Sequence, residues 1–169
     1  MTQNQTLPYW DLACRLDVAR ESPSEIFGEK IGPIYKMGQL EPGIKFFILA
    51  LEELGAVTKY SCEGHPLNAY VSFDATERLA KQIHMTSTFH VKAFSNAVTV
   101  GSVIECAMYA LNPDSDRMSY TEETRVQFLR ESAQRWMEFF GDRLTGLRQR
   151  LHDLAKELPH EQHLYTHIG

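Results

Sequence analysis

Ala56-Val57-Thr58-Lys59-Tyr60-Ser61-Cys62, Glu63-Gly64-His65-Pro66-Leu67-Asn68, Ala69-Tyr70-Val71-Ser72-Phe73: this stretch decides the fold. Its two ends are short runs rich in β-favouring Val, Tyr and Phe. The six residues between them are turn formers with unusual chemistry, so the whole reads as a hairpin with a loaded turn. Just upstream, Pro42 near a first helical turn and Gly55 just past a last one bracket a helix in the expected asymmetric way. Ile44, Phe47, Ile48, Leu51 and Leu54 recur at threes and fours as its apolar face, with Lys45, Glu52 and Glu53 pointing out.

Downstream, a third helix over Ala75 to Met85 leads to a second pair of strands, Phe89 to Phe94 and Val98 to Leu111, joined by Ser95-Asn96-Ala97. In the longer strand Val98, Val100, Ile104, Cys106 and Met108 share one face, because side chains alternate along a strand, and that face is the core face. Helix, two strands, helix, two strands and a long helix make an α+β fold: an antiparallel four-stranded sheet of two hairpins with helices on one side. At the N-terminal end a short helix over Tyr9 to Ala19, with Trp10, Ala13, Cys14 and Val18 as its stripe, precedes an irregular arm. Gly28, Gly32, Gly38 and Gly43 with Pro23, Pro33 and Pro42 supply the breakers of that arm. Residues 1–159 are expected to form one α+β domain, with 1–43 as helix plus arm, 121–158 as the long C-terminal helix and 160–169 as a tail.

That last helix carries Val126, Leu129, Ala133, Trp136, Phe140, Leu144, Leu147, Leu151, Leu154 and Leu158 at threes and fours, after Ser119-Tyr120-Thr121-Glu122 as a capping box. Run straight from Thr121 to Leu158 it would be roughly 55 Å long, against roughly 30 Å for a small domain. It therefore bends or projects. Gly141 and Gly146 favour a break near Gly141. A projecting helix would pair with a second copy, and the expectation is a homodimer with Trp136, Phe140, Leu147, Leu151 or Leu154 near its interface.

Composition limits the function classes. The chain has 169 residues, 43% of them hydrophobic and 23% charged, which is ordinary for one globular domain. A net charge of −5, from 22 acidic against 17 basic residues, makes nucleic acid an unlikely main partner, since affinity for phosphates comes from Lys and Arg. Met1 to Thr6 carries neither the basic nor the apolar region of a secretion signal, and no stretch reaches the roughly 18 apolar residues of a membrane span. A cytoplasmic protein with no membrane partner is expected. Cys14, Cys62 and Cys106 are odd in number and widely spaced, which fits reduced thiols.

The candidate site is the hairpin turn. Cys62 and His65 stand three apart at the end of a strand, with Gly64 supplying backbone freedom between them. A thiol and an imidazole so placed fit a nucleophile with its base, and fit equally two ligands of a thiophilic metal. No second ligand pair lies at a familiar spacing, so no metal site is assigned and the cofactor is left open. Glu63 adds an acid or base, and Tyr60, Ser61, Gly64 and Asn68 are the expected ligand-binding auxiliaries. The competing reading is a buried cysteine beside a turn in which His65 makes a local hydrogen bond.

Thr58-Lys59-Tyr60-Ser61-Cys62-Glu63-Gly64-His65, between a helix and a strand, resembles the helix, Ser-Cys-x-Gly-Arg turn and strand of the methyltransferase family that acts third in wybutosine synthesis on tRNA. Ser61, Cys62 and Gly64 carry the match, over about a fifth of the chain, and His65 stands where the family has Arg. The resemblance implies a site for S-adenosylmethionine and tRNA. Two function classes follow: a small enzyme or binder of a nucleotide-like small-molecule ligand at the Cys62 to His65 turn, and a non-enzymatic interaction or inhibitor protein acting through the long C-terminal helix. Elsewhere, Asn112, Asp114, Asp116 and Glu123 fall at calcium-loop spacing but have Arg117 where Gly is required, so they read as a polar turn. His160, His163 and His167 lie in the tail.

Overall fold

Pro42, with its fixed φ and no amide hydrogen, starts a 3-10 turn at Pro42–Ile44 that runs directly into a helix. This is a computed structural model, and it describes residues 7–16, 40–64, 68–94, 103–115 and 120–158. The elements are α1 (Tyr9–Arg15), α2 (Lys45–Glu53), β1 (Val57–Cys62), β2 (Tyr70–Thr76), α3 (Glu77–Met85), β3 (His90–Phe94), β4 (Val103–Tyr109), α4 (Glu122–Phe140) and α5 (Thr145–Glu157). Helix α1 is shorter than its stripe implied: Leu16 is already extended, with ψ 137, and Val18 lies outside the described residues.

At the far end of α2, Gly55 takes φ +102, which a side chain would resist. It allows a paired closure, Ala56 N donating to Leu51 O at 2.9 Å and Gly55 N to Glu52 O at 3.1 Å. Ile44, Phe47 and Leu51 are fully buried as their spacing requires, and Phe46 and Ala50 are buried as well. Lys45 corrects the sequence reading: it is 6% exposed rather than outward. Its Nζ donates to the carbonyls of Cys14, at 3.2 Å, and of Leu16, at the C-terminal end of α1. The last carbonyls of a helix lack partners and carry partial negative charge, and a buried ammonium satisfies both needs.

The sheet has the order β1-β2-β4-β3, with every neighbouring pair antiparallel. Both hairpins are present, and the pairing of β2 with β4 joins them. Val71, Phe73 and Ala75 stand opposite Met108, Cys106 and Ile104, and this is the face covered by helices, with Val71, Phe73, Cys106 and Met108 at 0% exposure. Val98, Val100 and the Ser95 to Ala97 turn lie outside the described residues. Ala75 and Thr76 complete β2 instead of opening α3. Thr76 then caps that helix, its Oγ1 accepting from Leu79 N at 3.1 Å.

From Glu122 to Glu157 the chain is helical, apart from a 3-10 turn at Gly141–Leu144 where the break was expected. The N-cap is Thr121, whose Oγ1 accepts from Thr124 N at 3.1 Å, rather than Ser119. The turn lets both halves of the helix lie against α1, with α5 also touching α2. Trp136, Phe140, Leu144, Leu147 and Leu151 are thereby buried within one chain, at 2% exposure or less. That corrects the expected dimer interface, because the stripe meant for a second copy is used up inside the first. Only Leu154 of the interface set stays half-buried.

Trp136 anchors this layer. Its ring meets Phe47, Phe89 and Phe140 edge to face at 5.2, 6.0 and 5.6 Å, and its Nε1 donates to Thr88 Oγ1 at 3.0 Å. Trp136→Ala is expected to cost about 3–5 kcal/mol, read as a lowered urea midpoint, with Trp136→Phe intermediate.

Candidate functional site

Cys62 ends β1 opposite Tyr70, and Gly64, at φ +92, turns its amide back to donate to Cys62 Sγ at 3.3 Å. Only glycine adopts that φ without strain, so the turn needs Gly64 for its shape. Glu63, between them, faces the interior and is 1% exposed. Its Oε1 accepts from Gly43 N at 2.5 Å, its amide donates to Glu41 Oε1 at 2.8 Å, and its carbonyl accepts from Arg125 Nη1 at 2.9 Å. Gly43 lies in the first turn of the helical run from Pro42, where amides have no partner in the helix and the dipole is positive. A carboxylate answers both conditions with a charge-assisted bond. The residue expected as an acid or base therefore fastens the fold.

Asn68 is also put to structural use. At 6% exposure its Nδ2 donates to Leu111 O and its Oδ1 accepts from Leu111 N, both at 2.7 Å, so its amide pairs with the chain leaving β4 as a backbone would. Ser61 is half-buried and opposite Val71. Tyr60 is 40% exposed, and its backbone amide donates to Ser72 Oγ at 3.2 Å. His65 and Pro66 lie outside the described residues, as do the tail histidines. Asn112 Oδ1 accepts from Asp114 N at 3.0 Å, and Asp114 pairs with Lys92 at 3.0 Å, so the described part of the calcium-like spacing is a polar turn.

What the structure brings together is a row across all four strands. The pairings Cys62 with Tyr70, Tyr70 with Tyr109 and Tyr109 with His90 place these four residues side by side. Alternation puts them on the face opposite Val71 and Met108, away from the helices. The next row is Tyr60, Ser72, Ala107 and Lys92. Beyond it Asp74 and Glu105 stand opposite each other, bridged by Lys59 at 3.1 and 3.0 Å, with Phe94 beside Glu105. Tyr70 and Tyr109 are neighbours, with ring centroids 6.1 Å apart and planes 31° from parallel. Alternation alone could have found Tyr70 in the sequence, but Tyr109 and His90 join it only through the strand order.

Three groups near the sheet hold their protons more tightly than usual. Burial raises the Tyr70 hydroxyl, assisted by the charges Cys62, Tyr109, Glu41 and Tyr60 can carry. Burial likewise raises Tyr120, whose hydroxyl accepts from Ala69 N at 3.3 Å, although that bond and Arg125 oppose the shift. Burial works to lower Lys59, but its bonds to Glu105 and Asp74 outweigh this and raise it. On the core side, burial pushes the Cys106 thiol up to about 11 and the Cys14 thiol higher still.

No protein-family model, curated protein or solved structure matches this chain.

Two outcomes are expected of these contacts. Glu63→Ala leaves the Gly43 amide buried without its acceptor and should cost about 1–3 kcal/mol in urea unfolding, with Glu63→Gln milder. Gly43→Ala should also destabilise, since a Cβ there would lie 2.5 Å from Glu63 Oε1. The raised groups hold their protons more tightly folded than unfolded. Their contribution is complete below the ordinary values of 9.0 for Cys, 10.0 for Tyr and 10.5 for Lys, and is lost as pH rises through the raised ones. Urea midpoints should therefore fall with increasing steepness above about pH 9. A midpoint that climbs with alkalinity would contradict the assignment.

Proposed function

We propose that this chain is a binding protein whose site is the outer face of the sheet at the row Cys62, Tyr70, Tyr109 and His90, and that its ligand is a flat, nucleotide-like small molecule. The observation that carries the reading is the register, which sets two tyrosine rings between a thiol and an imidazole, with Tyr60 and Lys92 in the row behind. Aromatic side chains on an open sheet give a flat ring a stacking surface, and this needs no particular hydrogen-bonding edge. Adenosine, adenosine monophosphate and S-adenosylmethionine belong to this class of ligand.

Binding is favoured over catalysis by what surrounds the thiol. Glu63 is committed to Gly43, and among the described residues the hydrogen bond to Cys62 Sγ comes from a backbone amide rather than from a base. A polynucleotide is disfavoured because Lys59 and Lys92 on this face are paired with Asp74, Glu105 and Asp114, and because the chain carries a charge of −5.

Calorimetric titration with the three named compounds is expected to find saturable binding by at least one. Tyr109→Ser or Tyr70→Ser should weaken it by at least about fivefold, the equivalent of losing one stacking contact. Cys14 and Cys106 are buried while Cys62 is half-buried, so iodoacetamide should modify Cys62 first, and the bound compound should slow that reaction. Absence of binding up to millimolar concentration, or binding indifferent to both tyrosines, removes the proposal.

A further inference from the structure

The register that aligns the tyrosines continues along the strands and maps the rest of the outer face. Two residues on from Tyr70 and Tyr109 stand Ser72 and Ala107, opposite each other, and two further on stand Asp74 and Glu105, opposed likewise. Four residues of strand separate the tyrosine row from the carboxylate row, about 13 Å at roughly 3.3 Å per residue. Ser72 and Ala107 are too short to fill that interval, and Ala107, at 2% exposure, lies below its taller neighbours. A ring stacked on Tyr70 and Tyr109 would extend over these two residues and point its far edge at the carboxylates.

The charges around that interval do not cancel. On the middle row Lys92 is answered by Asp114 at 3.0 Å. On the far row one ammonium serves two carboxylates: Lys59 Nζ lies 3.1 Å from Asp74 Oδ1 and 3.0 Å from Glu105 Oε2. Asp74 Oδ2 and Glu105 Oε1 are left without a hydrogen bond among the described residues. Three carboxylates thus face two lysines, with His90 formally neutral, and one negative charge remains. Glu41, whose charge reaches the Tyr70 hydroxyl, adds to the same sign.

We propose that the ring bound on this face carries a fixed positive charge and is an N-alkylated heteroaromatic cation. The inference rests on the stacking site proposed above and names the kind of ring that site takes. The face of a tyrosine ring is electron-rich and attracts a cation laid over it. A charge spread over a flat ring keeps the stacking surface, which a compact ammonium lacks, and is more weakly hydrated, so less is lost on leaving water. The two unused carboxylate oxygens then lie on the side toward which the charged ring extends. A phosphate held there would be repelled by the same oxygens.

The test is calorimetric titration of the full chain at about pH 7.5, where an ordinary histidine is neutral. It compares 1-methyladenosine, whose ring is largely cationic, with adenosine, and 1-methylnicotinamide with nicotinamide. The methylated member of each pair is expected to bind at least about fivefold tighter, and adenosine monophosphate more weakly than adenosine. Asp74→Asn combined with Glu105→Gln should bring the ratio within each pair close to one. Glu105→Gln alone changes the more exposed carboxylate, at 36% against 17%, so it should melt with the parent protein and lower the ratio at least about twofold. Equal affinity within both pairs, or tighter binding of adenosine monophosphate than of adenosine, overturns the proposal. Tyrosine-dependent binding of adenosine in that same experiment would leave the stacking site standing without it. A ratio that Glu105→Gln does not move, or absence of binding by all these compounds up to millimolar concentration, overturns it too.

Discussion

The carboxylate of Glu63, sealed against the amide of Gly43, is where the layers of the molecule meet. Through it the end of β1 is tied to the start of the helical run into α2. Gly43 in turn accepts from the Trp10 ring nitrogen at 2.9 Å, which brings in α1, and the Glu63 carbonyl accepts from Arg125, which brings in α4. A second buried carboxylate reinforces the same corner. Asp11, at 0% exposure, receives two bonds from Arg130 at 3.1 and 2.9 Å, and that guanidinium also lies over the Trp10 ring at 5.1 Å. Buried ionic groups cost desolvation unless their donors and acceptors are all satisfied, so such a corner works only as a complete set. Gly43 completes it by having no side chain: the space a Cβ would need is held by Glu63.

This corner also determines what the hairpin turn presents to solvent. With Glu63 drawn inward on three bonds, its neighbours cannot follow, and alternation leaves Cys62 on the opposite side of the sheet with Tyr60. One residue of the turn stabilises the fold, and the residue before it joins the tyrosine row. A reading that treats Cys62 and Glu63 as partners in one reaction therefore conflicts with the geometry, although they are adjacent in sequence.

The parts of this arrangement legible in the sequence are those governed by local rules. Pro42 and Gly55 mark α2 because one fixes φ and the other allows φ +102. The hairpins follow from alternation, and the break at Gly141 from a helix too long for its core. The missed features depend on distant partners. Lys45 points inward because its acceptors, Cys14 and Leu16, are 31 and 29 residues away. Glu63 reaches Gly43 across 20 residues and Arg125 across 62, and Asn68 pairs with Leu111 across 43. The row of Tyr70, Tyr109 and His90 exists only because β4 lies between β2 and β3. Periodicity says which side of its own element a residue occupies, but not what waits there.

Lys59 is where the pairing of β1 with β2 slips, the register shifting between Thr58 and Tyr60. That irregularity delivers its ammonium to Asp74 and Glu105, which face each other across adjacent strands and would repel if left alone. Sliding β1 by one residue would carry the cation to the apolar face, leave two carboxylates opposed, and turn Cys62 inward. The bulge thus works as a key for strand alignment: a misthreaded hairpin is penalised at once by charge, before any helix has packed upon it. An edge strand with a lysine and a kink is also a poor template for a further strand, which protects this side of the sheet from chain-to-chain growth during folding.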